Sequence, residues 1–226
     1  MKRLKIVLFM VVIAALYGAG VTGLHLSTIG MVEQNKRFIE QKALVELFGL
    51  GEVKTLSKEK VAQLVETQID QSETITDPQT GRQMPLLKAY RSAAQDQLVA
   101  YGFPFSGLGF WAEIKGYIAV DSDLKKTVGL KVISQMETPG LGARIEEPFF
   151  VQPFIDGLDI TDPAPGANYI YMGTAGNKPA QGTAQYGRTF DAITGATQTS
   201  LAMDRMLNTS VAEFNRAVKN RKAEED

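Results

Sequence analysis

The segment from Asp191 to Ser200 contains the residue types that hold a phosphate group in many proteins. It joins a glycine, Gly195, to the predicted start of an amphipathic helix near Thr197. Four side chains of the segment carry hydroxyl groups: Thr194, Thr197, Thr199 and Ser200. The first turn of a helix presents free N–H groups and a partial positive charge, which favour an anion. Ser and Thr are also ordinary helix caps, so the residues alone leave both interpretations open.

A second candidate segment, Glu137 to Gly142, follows directly after a predicted strand. Pro139-Gly140 is a typical pair for a type II turn, and Gly142 would allow a backbone to approach a ligand closely. Leu141 lies between two glycines, so its side chain is expected to point outward with little shielding. The alternative interpretation of this segment is a simple turn.

A third segment, Gly107 to Trp111, is rich in glycine and aromatic residues and leads into another predicted strand. Its glycines could make a flexible approach to that strand, with Trp111 as an ordinary core aromatic residue. By itself this segment predicts no particular chemistry.

Strands are predicted in the centre of the chain, on either side of which the three segments lie. Polar and apolar residues alternate over 110–120, with small or apolar residues on one side: Ala112, Ile114, Gly116, Ile118 and Val120. A turn at 121–123 and a second predicted strand over 127–134 complete a β-hairpin. A further short strand is predicted over 168–172.

Helices are predicted on both sides of the hairpin. Apolar residues recur at helical spacing over 33–50 and again after Ser57, which is a good N-cap. The polar residues 71–83 predict a loop. A C-terminal helix is predicted to fray over its charged end, 219–226. This order of elements predicts the α+β class.

The composition excludes several kinds of site. The chain has 226 residues, no Cys and a single His. The absence of Cys excludes disulfides, iron–sulfur clusters, thiolate zinc sites and a cysteine nucleophile. One His argues against a multi-histidine metal centre or a Ser-His-Asp triad. The formal net charge of −1 argues against nucleic acid, because backbone binding needs concentrated positive charge.

The N-terminal region has the composition of a membrane anchor. No charged residue occurs from Ile6 to Val32, and a helix needs about 20 apolar residues to cross a membrane. Basic residues precede this stretch, so the positive-inside tendency predicts a cytoplasmic N-terminus (1–5), a transmembrane helix (6–32) and export of the remainder. A cleaved signal peptide is the alternative, but the apolar character continues through Met31 and favours an uncleaved anchor.

Two of these segments together resemble the FMN-binding domain family of membrane flavoproteins in ion-pumping respiratory complexes. The family motif is Asp-x-x-[Ser/Thr]-Gly-Ala-Thr-x-[Ser/Thr], and the residues that match it here are Asp191, Thr194, Gly195, Ala196, Thr197 and Thr199. Glu137 to Gly142 match the second family signature, Glu-Thr-Pro-Gly-Leu-Gly, in full. The resemblance covers roughly residues 100–215.

The resemblance implies a role for each matching residue. In the family, the Thr after Gly-Ala is esterified to the phosphate of FMN, which would make Thr197 the site of covalent FMN. A separate Mg²⁺-dependent flavin transferase moves FMN from FAD to that Thr, and Asp191 belongs to the sequence that the transferase recognises. The other residues expected to bind the cofactor are Thr194, Gly195, Ala196, Glu137, Thr138, Gly140, Leu141 and Gly142. Trp111 and Tyr117 are expected either to stack on the flavin or to pack in the core.

The resemblance also implies the organisation of the chain. A helical extracytoplasmic segment (33–99) would precede an FMN-binding domain with a β-sheet core and flanking helices (100–218), followed by a charged tail (219–226). The chain would be a single-pass protein of the bacterial inner membrane, with the FMN domain on the periplasmic side. Its partners would be the other subunits of a respiratory complex, the flavin transferase and the membrane. No catalytic residue, metal site or nucleic-acid partner is expected.

Two branches of the family have such a domain behind one anchor. Gly107–Trp111 and Tyr117 look closer to the branch found in the Na⁺-translocating NADH:quinone reductase, whereas the chain length is closer to the branch found in the Rnf-type ferredoxin:NAD oxidoreductase complex. The resemblance favours the Na⁺-translocating branch, with the Rnf-type branch as the alternative, and both imply an electron relay within an ion-translocating oxidoreductase. The chain lacks the Gly-x-Gly-x-x-Gly signature of nicotinamide binding, so it is not expected to oxidise NADH alone. The competing interpretation is an anchored, non-redox scaffold or binding protein.

Overall fold

A computed structural model of the chain describes residues 2–174, 177 and 179–225. The first residue of the predicted segment 1–5 and the last residue of the predicted tail 219–226 lie outside the described residues. The chain divides into two compact units, Met1–Glu40 and Gln41–Asp226.

The first unit belongs to a single long helix, α1, which runs from Lys2 to Leu47. It is long and apolar enough to cross a membrane, and the apolar side chains over 6–32 are exposed. Exposed apolar side chains at this density suit a lipid environment better than water. A signal sequence passes the same test of length and composition, so the uncleaved anchor stays a prediction. The helix predicted over 33–50 is confirmed and is continuous with the anchor segment.

The second unit is built on a five-stranded antiparallel sheet whose strands follow one another in chain order. The strands are β1 (Ile69–Thr76), β2 (Gln83–Tyr90), β3 (Leu98–Leu108), β4 (Glu113–Asp121) and β5 (Thr127–Ser134). The predicted hairpin is confirmed as β4 and β5, with Ile118 opposite Leu130. The buried residues of β4 include the alternate positions predicted from the sequence.

The loop predicted over 71–83 is wrong, because β1 and β2 occupy most of it. Only residues 77–82 form the turn between the two strands. β1 lies at the edge of the sheet, and only Ile69 and Ile75 of its side chains are buried. An edge strand that exposes most of its residues has a polar sequence, which resembles that of a loop. The segment 33–99 is therefore not wholly helical.

Within the described residues, the unit also contains three further α-helices: α2 (Lys58–Gln68), α3 (Pro148–Asp156) and α4 (Thr197–Glu225). The predicted N-cap of α2 is confirmed, since the Ser57 hydroxyl accepts a hydrogen bond from the Lys60 backbone N–H at 3.3 Å. α3 and α4 pack against one face of the sheet. There the ring of Phe103 stacks on that of Phe214 from α4, with centroids 4.0 Å apart.

The other face of the sheet receives the end of α1. Small residues on this face allow the helix to approach closely. A Cβ atom at Gly102 would lie 2.7 Å from the Phe48 ring, and one at Gly129 would lie 2.3 Å from the Leu47 carbonyl oxygen. The sheet therefore has a buried layer on each side, and the α+β class is confirmed.

The C-terminal helix does not fray where the sequence predicts it. α4 continues to Glu225. Two of its late cations are paired with residues outside the helix: Lys219 with Asp162, and Arg221 with Glu73. The short strand predicted over 168–172 is displaced slightly. It forms β6 (Tyr171–Gly173), which pairs in parallel with β7 (Thr189–Asp191) just before α4.

Candidate functional site

The two motif segments, far apart in the sequence, line one cavity of about 430 Å³. The residues of the predicted site that line it are Glu137, Thr138, Leu141, Gly142, Gly195, Ala196 and Thr197. Four other residues complete the lining: Phe110, Trp111, Gln198 and Thr199. The cavity therefore lies where the end of β5, the loop before β4 and the start of α4 meet.

Three residues of the predicted site lie outside this lining. Gly140 has φ +75° in the turn whose Leu141 N–H donates to the Thr138 carbonyl at 3.1 Å. The predicted turn is thereby confirmed. Thr194 is exposed beside the cavity, and Asp191 is half-buried at the end of β7.

Tyr117 is also separate from the cavity. It is half-buried within β4, opposite Pro104 on one neighbouring strand and Lys131 on the other. Its position favours packing within the sheet over stacking on a cofactor.

The turn before α4 is closed by a serine. The Ser200 hydroxyl accepts from the Ile193 backbone N–H at 2.9 Å and donates to the Ala196 carbonyl at 3.0 Å. Gly195 has φ +84° in this turn, a conformation that side chains with a Cβ rarely adopt. The backbone there is fixed without any contribution from the Thr197 hydroxyl.

The four hydroxyls of the turn fall into two classes. Thr199 and Ser200 are buried and hydrogen-bonded, whereas Thr194 and Thr197 are exposed. Of the two exposed residues, Thr197 alone lines the cavity. Within the part of the chain that the structure describes, its hydroxyl makes no hydrogen bond. The hydroxyl of Thr197 is therefore open to reaction at the first residue of a helix.

Two aromatic residues form an exposed wall of the cavity. Phe110 is 56% and Trp111 67% exposed, and their rings meet edge to face with centroids 5.0 Å apart. The indole Nε1 of Trp111 donates to the Thr138 hydroxyl at 3.1 Å. The interpretation of Trp111 as a core residue is therefore wrong. Leu141 is 43% exposed, as its position between two glycines predicts.

Glu137 is buried behind this wall and joins three segments. Its Oε1 accepts from the backbone N–H groups of Phe110 and Trp111, at 2.9 and 3.0 Å. Its Oε2 accepts from the Thr199 hydroxyl at 2.6 Å. Glu137 is the one charged residue among those that line the cavity within the described chain. These donors satisfy its carboxylate inside the protein.

Sequence reasoning missed part of the lining. The motif includes Thr199, but the sequence predicts no role for it. In the structure Thr199 is buried and lines the cavity, and its hydroxyl donates a hydrogen bond to Glu137. Phe110 could have been found from its position next to Trp111 in a glycine-rich segment. Gln198 carries no distinguishing signal in the sequence.

The cavity residues fit a flavin mononucleotide. Small-molecule sites occupy about 300–1,000 Å³ and combine apolar walls with a few polar groups, and this cavity matches that description. Phe110, Trp111 and Leu141 offer apolar surface to a planar ring. The start of α4 offers free backbone N–H groups to a phosphate group beside the Thr197 hydroxyl.

Comparison with known proteins places the same motifs within a family model. Residues 109–212 match the sequence model of the FMN-binding domain. The chain is also 29% identical, over 201 residues, to NqrC of Chlamydia caviae, a subunit of the Na⁺-translocating NADH-quinone reductase. That match covers 76% of this chain but only 63% of the relative. NqrC of Pseudomonas aeruginosa is 27% identical, with 77% of this chain and 78% of the relative covered.

Solved structures agree with the fold. NqrC from Parabacteroides distasonis superposes with a TM-score of 0.65 at 23% identity, covering 82% of this chain and 94% of that one. NqrC from Shewanella oneidensis superposes with a TM-score of 0.66 at 18% identity, covering 84% of this chain and 99% of that one. The comparisons thus confirm what the motifs predict: the chain resembles the FMN-binding domain family and, within it, the NqrC subunits of the Na⁺-translocating NADH-quinone reductase.

Proposed function

We propose that this chain is a membrane-anchored flavoprotein subunit that carries FMN covalently on Thr197. The observation that carries the proposal is the Thr197 hydroxyl. It is exposed, lies at the first residue of α4 and lines the cavity that both motif segments build. Its neighbours Thr199 and Ser200 are buried, so Thr197 is the hydroxyl of the turn that a transferase can reach inside the cavity.

The residues around Thr197 are suited to hold the nucleotide. A phosphodiester retains one negative charge, and the N-terminus of α4 would stabilise it by up to about 1 kcal/mol at an exposed site. Phe110, Trp111 and Leu141 would contact the ring. The ester bond would remove dissociation of the cofactor, and a separate flavin transferase, which recognises Asp191 in its motif, would form that bond.

The function proposed for the loaded chain is electron relay within an ion-translocating NADH:quinone reductase complex. When bound, FMN supplies the redox chemistry. The chain fixes the orientation and the exposure of the cofactor. The similarity to NqrC of the Na⁺-translocating enzyme supports this complex over an Rnf-type complex. Electrons would then arrive from and leave to cofactors on partner subunits.

The proposed location follows from the N-terminal sequence. α1 would span the bacterial inner membrane with its basic N-terminus in the cytoplasm, which places the cavity on the periplasmic side. The transferase would then have to act outside the cytoplasm.

The proposal is tested by expressing the full chain with a flavin transferase. We expect a fluorescent band on a denaturing gel and an added mass equal to FMN minus one water. Peptide mapping should place this mass on the peptide that contains Thr197. Thr197→Ala should abolish the covalent flavin and leave the fold intact.

Thr209→Ala is the matched control, because Thr209 is also exposed on α4 but lies outside the cavity. This variant should keep the flavin. A non-fluorescent wild-type chain at unmodified mass, with the transferase active on a control substrate, would refute the flavoprotein proposal. The non-redox scaffold would then be the remaining interpretation.

A further inference from the structure

Glu137 makes contacts that are unusual for a residue in a ligand-binding turn. Its side chain is only 5% exposed, although it precedes the exposed residues Thr138 to Leu141. Burying a carboxylate is costly unless donors surround it, and hydrogen bonds to an ionised group are stronger than those between neutral groups. Glu137 has such donors from two other segments of the chain.

The first segment is the aromatic loop, defined here as residues 108–112. Its aromatic side chains, Phe110 and Trp111, are more than half exposed, as is Leu108, and therefore gain little from the core. One backbone hydrogen bond, from the Gly109 N–H to the Ala112 carbonyl at 2.9 Å, closes the loop on itself. The contacts that hold it to the rest of the site are polar: Phe110 and Trp111 donate their backbone N–H groups to Glu137 Oε1, and the indole of Trp111 donates to Thr138. The position of the aromatic wall therefore depends on Glu137 and on the residue that follows it.

The second segment is the first turn of α4. Thr199, two residues after Thr197, is buried and donates its hydroxyl to Glu137 Oε2 at 2.6 Å. One carboxylate thus connects the aromatic wall to the helix turn that bears the proposed attachment site.

Two glycines make room for this carboxylate. A Cβ at Gly109 would lie 2.5 Å from Glu137 Oε1, and a Cβ at Gly142 would lie 2.7 Å from Glu137 Oε2. Neither glycine has a positive φ, so their backbone conformation does not require glycine. The space that they leave is occupied by the Glu137 carboxylate.

We propose that Glu137 is a positioning residue: it fixes the aromatic loop against the first turn of α4, so that the cavity is formed before any flavin is attached. The significance for a flavin rests on the proposed function, but the positioning itself is a property of the unloaded chain. A residue that only contacts the cofactor would have no effect on the loop in the absence of flavin.

The test is amide hydrogen exchange on the full chain in detergent micelles, prepared without a transferase and so without covalent flavin. The observed amides are those of Phe110 and Trp111, with the core amides of β4 as the internal reference. Glu137→Ala should accelerate exchange at the two loop amides by roughly tenfold to a hundredfold relative to β4. Glu137→Gln retains an acceptor oxygen and should restore most of the protection.

Glu213→Ala is the matched control. Glu213 is as buried as Glu137 and accepts a hydrogen bond from Arg82 at 2.8 Å, but it lies outside the cavity lining. It should leave the ratio of loop exchange to β4 exchange unchanged. Unchanged loop exchange in Glu137→Ala, or loop exchange that rises only in step with β4, would overturn the proposal.

Covalent flavin is measured separately, on chains produced with an active transferase. A wild-type chain that stays without flavin would refute the proposed function but leave the exchange result for Glu137 intact. Selective release of the loop in Glu137→Ala would still establish the positioning role.

Discussion

Gly142 lies so close to buried side chains of the site that there is no room for a Cβ atom. A Cβ there would lie 2.6 Å from the Thr199 hydroxyl oxygen and 2.7 Å from Glu137 Oε2. Both atoms are buried, and the Thr199 hydroxyl donates a hydrogen bond to Glu137 Oε2. Neither can move away without breaking the hydrogen bond that joins the turn after β5 to α4.

Gly142→Ala should therefore destabilise the protein through overpacking, by about 1–3 kcal/mol in the free energy of unfolding. The measurement is urea unfolding of the full chain in micelles, followed by circular dichroism. Gly187→Ala is the control, because Gly187 has no positive φ and a Cβ there would meet nothing within 4 Å. It should change the free energy by less than about 0.5 kcal/mol. Equal effects of the two variants would contradict the packing argument.

At the scale of elements, the turn between β1 and β2 is fixed to α4 by a bidentate ion pair. The Asp77 carboxylate is fully buried and accepts from Arg216 Nε at 2.8 Å and Arg216 Nη2 at 2.7 Å. Arg82, at the end of the same turn, donates to Glu213 of α4 at 2.8 Å. Paired geometry of this kind gives a strong, directional contact. It attaches the edge hairpin to the helix that begins in the candidate site.

Asp77→Asn should lower the free energy of unfolding by about 2 kcal/mol, because it leaves a partly buried guanidinium without its anionic partner. Asp123→Asn is a suitable comparison, since Asp123 pairs with Lys125 at 3.8 Å and both side chains are well exposed. That variant should change the stability by less than about 1 kcal/mol. Thermal or urea unfolding at pH 7 distinguishes the two. A loss for Asp77→Asn no larger than that for Asp123→Asn would contradict the structural assignment.

The same pairs show which elements could be predicted from the sequence. β4, β5 and the start of α4 can be predicted because their own residues carry the pattern: alternation for the strands, and a glycine turn with apolar spacing for the helix. β1 and the end of α4 are not predicted from the sequence. β1 is an edge strand whose polar residues resemble a loop, and the charged end of α4 is paired with residues distant in the sequence. Glu73 of β1, for example, is a polar residue typical of a loop in the sequence. Only the structure shows that it forms an ion pair with Arg221 of α4.

The candidate site shows a similar division. Thr197 and Leu141 could be identified from motifs, since each motif is continuous in the chain. The role of Glu137 depends on the distance between its oxygens and three donors from other segments, which no local pattern contains. Thr197 and Thr199 belong to one motif, but Thr197 is exposed and Thr199 is buried, which the motif itself does not predict.

For the molecule as a whole, the last part of α4 is held by cation–carboxylate pairs to different parts of the domain. The pairs are Arg216 with Asp77, Lys219 with Asp162, and Arg221 with Glu73. In each case the hydrogen bond from the cation is the largest cause that lowers the pKa of the carboxyl group below its ordinary value. The Lys219 pair is more than half exposed, so solvent screens most of its contribution.

A lowered pKa in the folded state makes these pairs sensitive to acid. The folded protein binds fewer protons than the unfolded chain, so each group adds stability above its ordinary pKa, which is 3.8 for Asp77. That stability is lost as the pH falls from about 4 through the lower, folded pKa. The urea midpoint of the full chain should therefore decrease below about pH 4.

Asp77→Asn tests the contribution of the fully buried carboxylate, Asp77, to the free energy of unfolding. The variant should be less stable than the wild type at pH 7, and the difference should shrink as the pH falls below about 4, because the unfolded wild-type chain then gains stability by taking up a proton on Asp77, whereas the Asn variant has no such group. The measurement is a series of urea unfolding curves for both proteins from pH 7 to about pH 3. Parallel curves, with a constant difference across this range, would show that the charge of Asp77 does not contribute to holding α4 in place.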